Sequence, residues 1–231
     1  MSKILTMLDG IPFGKHFFEV GILLRDSILV SSLLFNAEAW YNLTSTELDL
    51  LETVDVSLLK QLLKAPKGTP TEMLYLELGC IPFREIVREK RLRFLHYILN
   101  NDPKSMIHRF FITQMKNKTK KDWVSTVLDD LSRLELSHLS MEEITDMKKT
   151  SFITLIKQRI NLKTFKFLED LKKSHSKVMH IEHNGIKIQK YLQPNNVLIK
   201  REEAQLIFKL RCRVPGIKVN LKGKYDRVSC M

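Results

Sequence analysis

Asp129 and Asp130 form an acidic doublet, and paired carboxylates are the residues with which two-metal sites carry out phosphoryl transfer. That chemistry needs them on a tight turn, holding two ions about 3.5–4 Å apart. Here Val127 and Leu128 precede the doublet, while Trp123, Val127, Leu131 and Leu134 recur at helical spacing. The two aspartates are therefore expected on a solvated helix face. Glu142-Glu143 and Glu202-Glu203 fall in the first turns of predicted helices, where they complement the helix dipole. His175, His180 and His183 with Cys212 and Cys230 are metal-ligand types, but neither cysteine has a close cysteine partner, so no self-contained zinc finger is expected. Cys80, between Gly79 and Ile81, reads as a small buried hydrophobe. No constellation supplies nucleophile, base and stabiliser together, and a free-standing enzyme is not expected.

Helices must position these residues. A long, mostly buried helix is predicted over 16–40. Thr44 with Glu47 is a capping box that opens a helix over 46–63, and Ala65-Pro66-Lys67-Gly68 breaks it. Pro70 starts a short helix to Leu78, with Gly79 as its stop. Pro82 starts the next, which reaches the turn cluster Asn100-Asn101-Asp102-Pro103. Asp102 is expected to cap a helix through Met115, Asp122 the next, and Ser140 with Glu143 another. A basic amphipathic helix follows over 151–173 and another helix over 201–212. Between them Val178, His180, Ile186 and Ile188 suggest a hairpin turning at Asn184-Gly185, and 217–221 alternates like a strand. The expected fold is mainly α, a multi-helix bundle with a small β-hairpin or mixed α/β element near the C-terminus.

Charge gives the chain its direction. Its 231 residues carry a net +12, yet residues 1–146 hold 18 Lys+Arg against 20 Asp+Glu, and residues 147–231 hold 20 against 6. A globular composition, 44% hydrophobic and 28% charged, excludes a disordered tail or a collagen-like repeat. Three cysteines do not make a disulfide framework and point to a reducing, intracellular setting. The most apolar stretch, 17–35, is interrupted by Glu19, Arg25 and Asp26, so it reads as a buried helix and no membrane partner is expected.

A basic segment on a near-neutral scaffold points to a polyanion. Arg84, Arg88 and Arg91 fall within about 60° of one another on a helix, and Arg93 is a further candidate cation of the same helix. Two readings stand for this stripe: it tracks phosphates, or its stems cover the core edge and pair with acids such as Glu77. Further on, Lys157, Arg159, Lys163, Lys166, Lys172 and Lys173 recur along one helix, interleaved with Phe152, Phe165 and Phe167, which read as core. Lys200, Arg201, Arg211 and Arg213 extend the set. All are candidate contacts to RNA or DNA.

Three stretches in order resemble one family. LFNAEAWYNLTSTELDLLETVDVSLLKQLL, residues 34–63, is similar to the region after the catalytic palm in reverse transcriptases of LINE-like (non-LTR) retrotransposons, with Glu38-Ala39-Trp40 followed by Leu43-Thr44. REKRLRFLHYIL, residues 88–99, resembles that family's arginine-rich helix. KGKYDRVSC, residues 222–230, looks like the approach to its terminal zinc knuckle, with Cys230 at the first ligand. The resemblance implies a thumb-like helical bundle over 1–100, a helical connector over 101–146, and a basic linker over 147–231 leading to a truncated knuckle. It implies a non-catalytic piece, cut at both ends, because the aromatic-x-Asp-Asp metal site of the palm is missing. Its partners would be element RNA, template-primer duplex, target DNA and the upstream polymerase palm, in the nucleus. No cofactor is expected here, and zinc only with the downstream knuckle. The alternative is a helical protein-interaction module, or repurposed retroelement remnant, whose basic face meets an acidic protein.

Overall fold

The computed structural model describes residues 16–117, 121–194 and 200–212. Nine helices run through them: α1 (Phe17–Leu24), α2 (Ser45–Leu62), α3 (Thr71–Leu78), α4 (Phe83–Leu99), α5 (Met106–Asn117), α6 (Trp123–Arg133), α7 (Met141–Asp146), α8 (Lys149–Lys173) and α9 (Arg201–Arg211). The fold is mainly α.

Local chemistry sets most of the boundaries. The Thr44–Glu47 capping box forms in both directions, Thr44 N donating to Glu47 Oε2 at 2.8 Å and Glu47 N to Thr44 Oγ1 at 3.3 Å. Ser140 and Glu143 do the same ahead of α7, and Asp122 with Ser125 ahead of α6. Asp102 does not cap α5. Its carboxylate accepts from Lys104 N at 2.8 Å within the preceding turn, and Ser105 Oγ accepts from His108 N at 3.3 Å in its place. The helix expected over 16–40 also stops early. After α1 the backbone widens into a π-helical stretch, Arg25–Val30, and one last turn, Ser31–Leu33. Asn36 then takes φ +52°, a conformation asparagine tolerates, before a 3₁₀ turn at Ala37–Ala39. The π stretch begins at the residue that turns inward: Arg25 donates from Nε and Nη2 to the two Asp55 oxygens at 2.6 and 2.7 Å.

The C-terminal β element is reduced to one isolated antiparallel bridge, Leu78 with Ile188, and no strand occurs among the described residues. The hairpin around Asn184-Gly185 does not close. Val178 and Met179 donate their backbone N–H to His175 O in a turn, so no extended partner exists, and Gln189 N donates instead to Glu77 O at 2.9 Å. This docking explains Gly79, which has φ +67° and whose missing Cβ would meet Ile188 N at 2.2 Å. The strand expected over 217–221 lies outside the described residues.

The chain divides into two compact units that cut across the three expected stretches. The first comprises residues up to Leu29, Thr53–Cys80 and those from Phe165, and the second Val30–Glu52 and Ile81–Thr164. In the first, Leu58, Leu59, Leu62, Met73, Leu74, Leu76, Val178 and Phe208 are buried, and Gly21 leaves room for Leu62, which a Cβ would meet at 2.5 Å. In the second, α4 packs against the Ala37–Ala39 turn and against α5, α6 and α7. Leu92, Leu95, Trp123, Val127, Ile144, Phe152, Ile156 and Ile160 fill its core. Burial on α8 repeats every four residues from Phe152 to Leu168, which leaves Phe167, one position off that stripe, exposed where it was expected in the core. No helix among the described residues is long and apolar enough to cross a membrane.

Candidate nucleic-acid interface

The arginine stripe of α4 faces acids. Arg84 Nε donates to Glu52 Oε1 at 2.6 Å and its Nη2 to Asp49 Oδ1 at 2.9 Å, contacts that raise its pKa further above the ordinary arginine range. Arg88 and Arg91 are buried and share one carboxylate: Arg88 Nε reaches Asp130 Oδ1 at 2.9 Å and Arg91 Nε reaches Oδ2 at 2.7 Å. Glu85 closes on the other side of Arg88. Burial works against the Arg88 charge, but Glu85 and Asp130 outweigh it, so its pKa is raised. Of the two readings of this stripe, the inward one describes Arg88 and Arg91, with Asp130 and Glu85 as the acids, while the half-buried Arg84 pairs with Glu52 and Asp49, and Glu77 takes Arg211 instead. The expectation that Asp129-Asp130 lies wholly in solvent is corrected too. Asp130 is buried under the two arginines, whereas Asp129 is exposed and pairs with Arg133 at 2.8 Å. Arg93 is exposed, 3.6 Å from Glu89.

The outward cations sit on α8. Its first sixteen residues, which belong to the second unit, hold Lys149, Lys157, Arg159 and Lys163 and no acid. Lys157 reaches Glu89 at 3.8 Å, Arg159 reaches Glu135 at 3.6 Å, and Lys163 also pairs with Glu135. Such surface pairs are weak and exchangeable, about 0–1 kcal/mol each. Lys148 and Lys149 are exposed, and no carboxylate among the described residues lies within 4.0 Å of either.

In the first unit Lys166 and Lys173 are exposed, the latter 2.9 Å from Asp170. Lys172 is not: only 1% exposed, its ammonium bonds Ile181 O and Glu169 and lies 3.2 Å from His183 Nδ1. Its inward turn takes it out of reach of a phosphate. Lys200 is exposed, while Arg201 lies over the Phe17 ring at 3.6 Å. Arg211 Nε donates to Glu77 Oε1 at 2.9 Å. Arg213 and Cys230 lie outside the described residues.

Sequence reasoning missed the cluster that captures Arg211 and Lys172. Glu77, fully buried, accepts from Tyr191 OH at 2.6 Å and lies 3.1 Å from His183 Nε2, while His183 Nδ1 lies 3.1 Å from Glu169 Oε1. Burial alone would raise the Glu77 carboxyl, but His183, Tyr191 and Arg211 together hold it below its ordinary value. Tyr191 moves up, through burial and the Glu77 charge. The available signal was Glu77 itself, a lone acid between Leu76 and Leu78 that a buried helix cannot carry unpaired. With Glu77 and His183 both shielded from solvent, this is an internal charge network that fastens Tyr191 and Arg211 to α3. Burial also pushes the Cys80 and Cys212 thiols up to about 12, which keeps them protonated near neutral pH. No group of three or more His, Cys, Asp and Glu residues able to hold a metal ion occurs among the described residues.

No protein-family model, curated protein or solved structure matches the chain in comparison.

Proposed function

We propose that this chain is a non-catalytic nucleic-acid-binding portion of a LINE-like reverse transcriptase, a thumb and post-thumb linker that holds template-primer duplex or element RNA. The observation that carries the binding part is the first sixteen residues of α8: four cations and no acid, with Lys157, Arg159 and Lys163 paired only to the half-buried Glu89 and the exposed Glu135. A phosphate displaces such a carboxylate at little cost and releases condensed counterions as it binds. The retroelement part rests on the ordered resemblance over 34–63, 88–99 and 222–230. The rest of the α4 stripe serves as internal framework in this reading, since Arg88 and Arg91 already spend their charge on Asp130. Contacts of this kind read the backbone and not the bases, so binding is tolerant of sequence. Filter binding of single-stranded and duplex RNA and DNA at 50 and 200 mM salt, chosen to span about a fourfold range, tests it. Affinity should fall steeply with salt, and binding that is undetectable or indifferent to salt overturns the proposal.

A further inference from the structure

We propose that an aromatic groove in the second unit, formed by α4, α5, the start of α6 and the segment before α2, takes up an unpaired base of single-stranded nucleic acid. This deepens the nucleic-acid reading and rests on it. The groove encloses about 260 Å³. That is below the roughly 300–1,000 Å³ of sites for drug-sized ligands, so one planar ring system suits it better than a helix or a lipid chain. Tyr41, Phe94, Phe110 and Trp123 line it above Ile98 and Ile107, and none of its lining residues is charged.

Its walls are fixed. Trp123 Nε1 donates to Glu38 O at 2.8 Å, and the indole meets Phe94 edge-on, 5.6 Å between centroids at 86°. Phe94 in turn stacks on Tyr97 at 5.9 Å and 11°. Against these held rings, Phe110 is 63% exposed and Tyr41 53%, open aromatic faces of the kind on which bases stack. Gln114, the one polar side chain with an amide in the groove, both donates and accepts, as the edge of a base requires.

Charge points to the same occupant. From Pro103 to Lys121 the sequence holds six Lys and Arg and not one acid, the most uniformly cationic run in an otherwise near-neutral region. Lys104, Arg109, Lys116 and Lys121 of that run are exposed. Arg109 and Lys116 sit on the side of α5 away from the groove, about 10–12 Å across the helix, where 0.1 M salt already screens them, so the charge nearest the groove comes from Lys121, two residues before Trp123, and Lys104, three before Ile107. An aromatic cleft with cations around it matches a base followed by its phosphates. A membrane would instead call for an apolar face turned outward along one helix, whereas this apolar surface is a concavity walled by α4, α5, the start of α6 and the segment before α2.

The test uses the full chain and two probes, a 12-nucleotide RNA strand carrying one 2-aminopurine and a 12-base-pair RNA duplex. Phe110→Ala should weaken binding of the single strand about 5- to 150-fold and abolish the 2-aminopurine quenching. Duplex binding and its salt slope should stay as in the wild type, and Phe110→Tyr should keep the single-strand affinity. Tyr41→Ala, at a second exposed ring, should weaken the single strand in the same direction. Single-strand affinity unchanged in Phe110→Ala, with wild-type binding intact, overturns the groove and leaves the electrostatic reading standing. Equal losses on strand and duplex also overturn it. Displacement of the strand by phosphatidylserine vesicles, lost in Phe110→Ala, assigns the face to a membrane. A wild type that binds neither probe overturns both readings.

Discussion

Neutralising the outward cations of α8 tests the proposed interface most directly. The perturbation is the triple variant Lys157→Gln, Arg159→Gln, Lys163→Gln, all three being exposed or half-buried and paired only to the half-buried Glu89 and the exposed Glu135. Each phosphate contact contributes about 0.9 to the slope of log K against log salt. At 0.1 M salt that is about 0.9 log unit, or about 1.2 kcal/mol per contact. Binding also breaks the pairs to Glu89 and Glu135, at roughly 0.5 kcal/mol each. The net is about 0.7 kcal/mol per residue and about 2 kcal/mol for three, so affinity should fall about 30-fold and the slope should flatten by about 2.7. Fluorescence anisotropy with a labelled RNA duplex, titrated at several salt concentrations, reads both quantities. Lys64→Gln with Lys67→Gln is the control, because residues 53–80 carry equal numbers of positive and negative side chains. If the control loses as much per residue as the triple variant, or the slope does not move, the reasoning from charge placement to binding surface is wrong.

Two further outcomes concern the buried charges. Asp130→Ala leaves Arg91 buried without its carboxylate and Arg88 with Glu85 alone, so it should cost about 3–5 kcal/mol in urea denaturation, while the exposed Asp129→Ala should cost at most about 0.5 kcal/mol. The Glu77 carboxyl is held below its ordinary value near 4.5, so its stabilisation is complete above that value and is lost as pH falls through the lower folded one. Glu77→Gln should therefore melt below the wild type at pH 7, with the gap closing on acidification below about pH 4.5, when wild-type Glu77 is neutral as well. A gap that stays constant with pH would mean that Glu77 is not ionised in the folded chain.

What was legible in the sequence is what short-range chemistry decides. Caps at Thr44, Asp122 and Ser140, the stop at Gly79 and the helical class all follow from side chains bonding their own local backbone. Misreadings occurred where another partner competes, whether two residues away or far along the chain. Asp102 has a cap's side chain but spends it on Lys104 N, and the helix expected over 16–40 gives way to a π stretch at Arg25, the residue that turns toward Asp55. The hairpin at Asn184-Gly185 had a suitable turn dipeptide, but Ile188 found its bridge partner at Leu78, 110 positions away. Lys172 and Lys173 are adjacent and chemically identical, and only the fold separates them into a buried network member and a surface cation. Periodicity assigns a helix face, but which carboxylate lies opposite that face depends on tertiary packing.

This has a consequence for how net charge is used. The +14 of residues 147–231 is not a separable basic domain, because α8 contributes to both units. Phe152, Ile156 and Ile160 are buried in the second unit's core, and Leu168 is buried in the first. Each such large side chain is worth about 2–5 kcal/mol, against a total of about 5–15 kcal/mol for a domain. Removing residues after 146 therefore strips the core of the near-neutral part along with the charge. Counted by unit, the excess is +9 in the first and +3 in the second, and in the first it comes entirely from residues after Phe165, since 1–29 and 53–80 each sum to zero. Of the described cations in that last segment, Lys172 and Arg211 are neutralised internally by Glu169 and Glu77. An ion pair closed inside the protein presents a dipole and not a charge to an approaching phosphate, so binding capacity follows the cations left at the surface and is smaller than the formal sum.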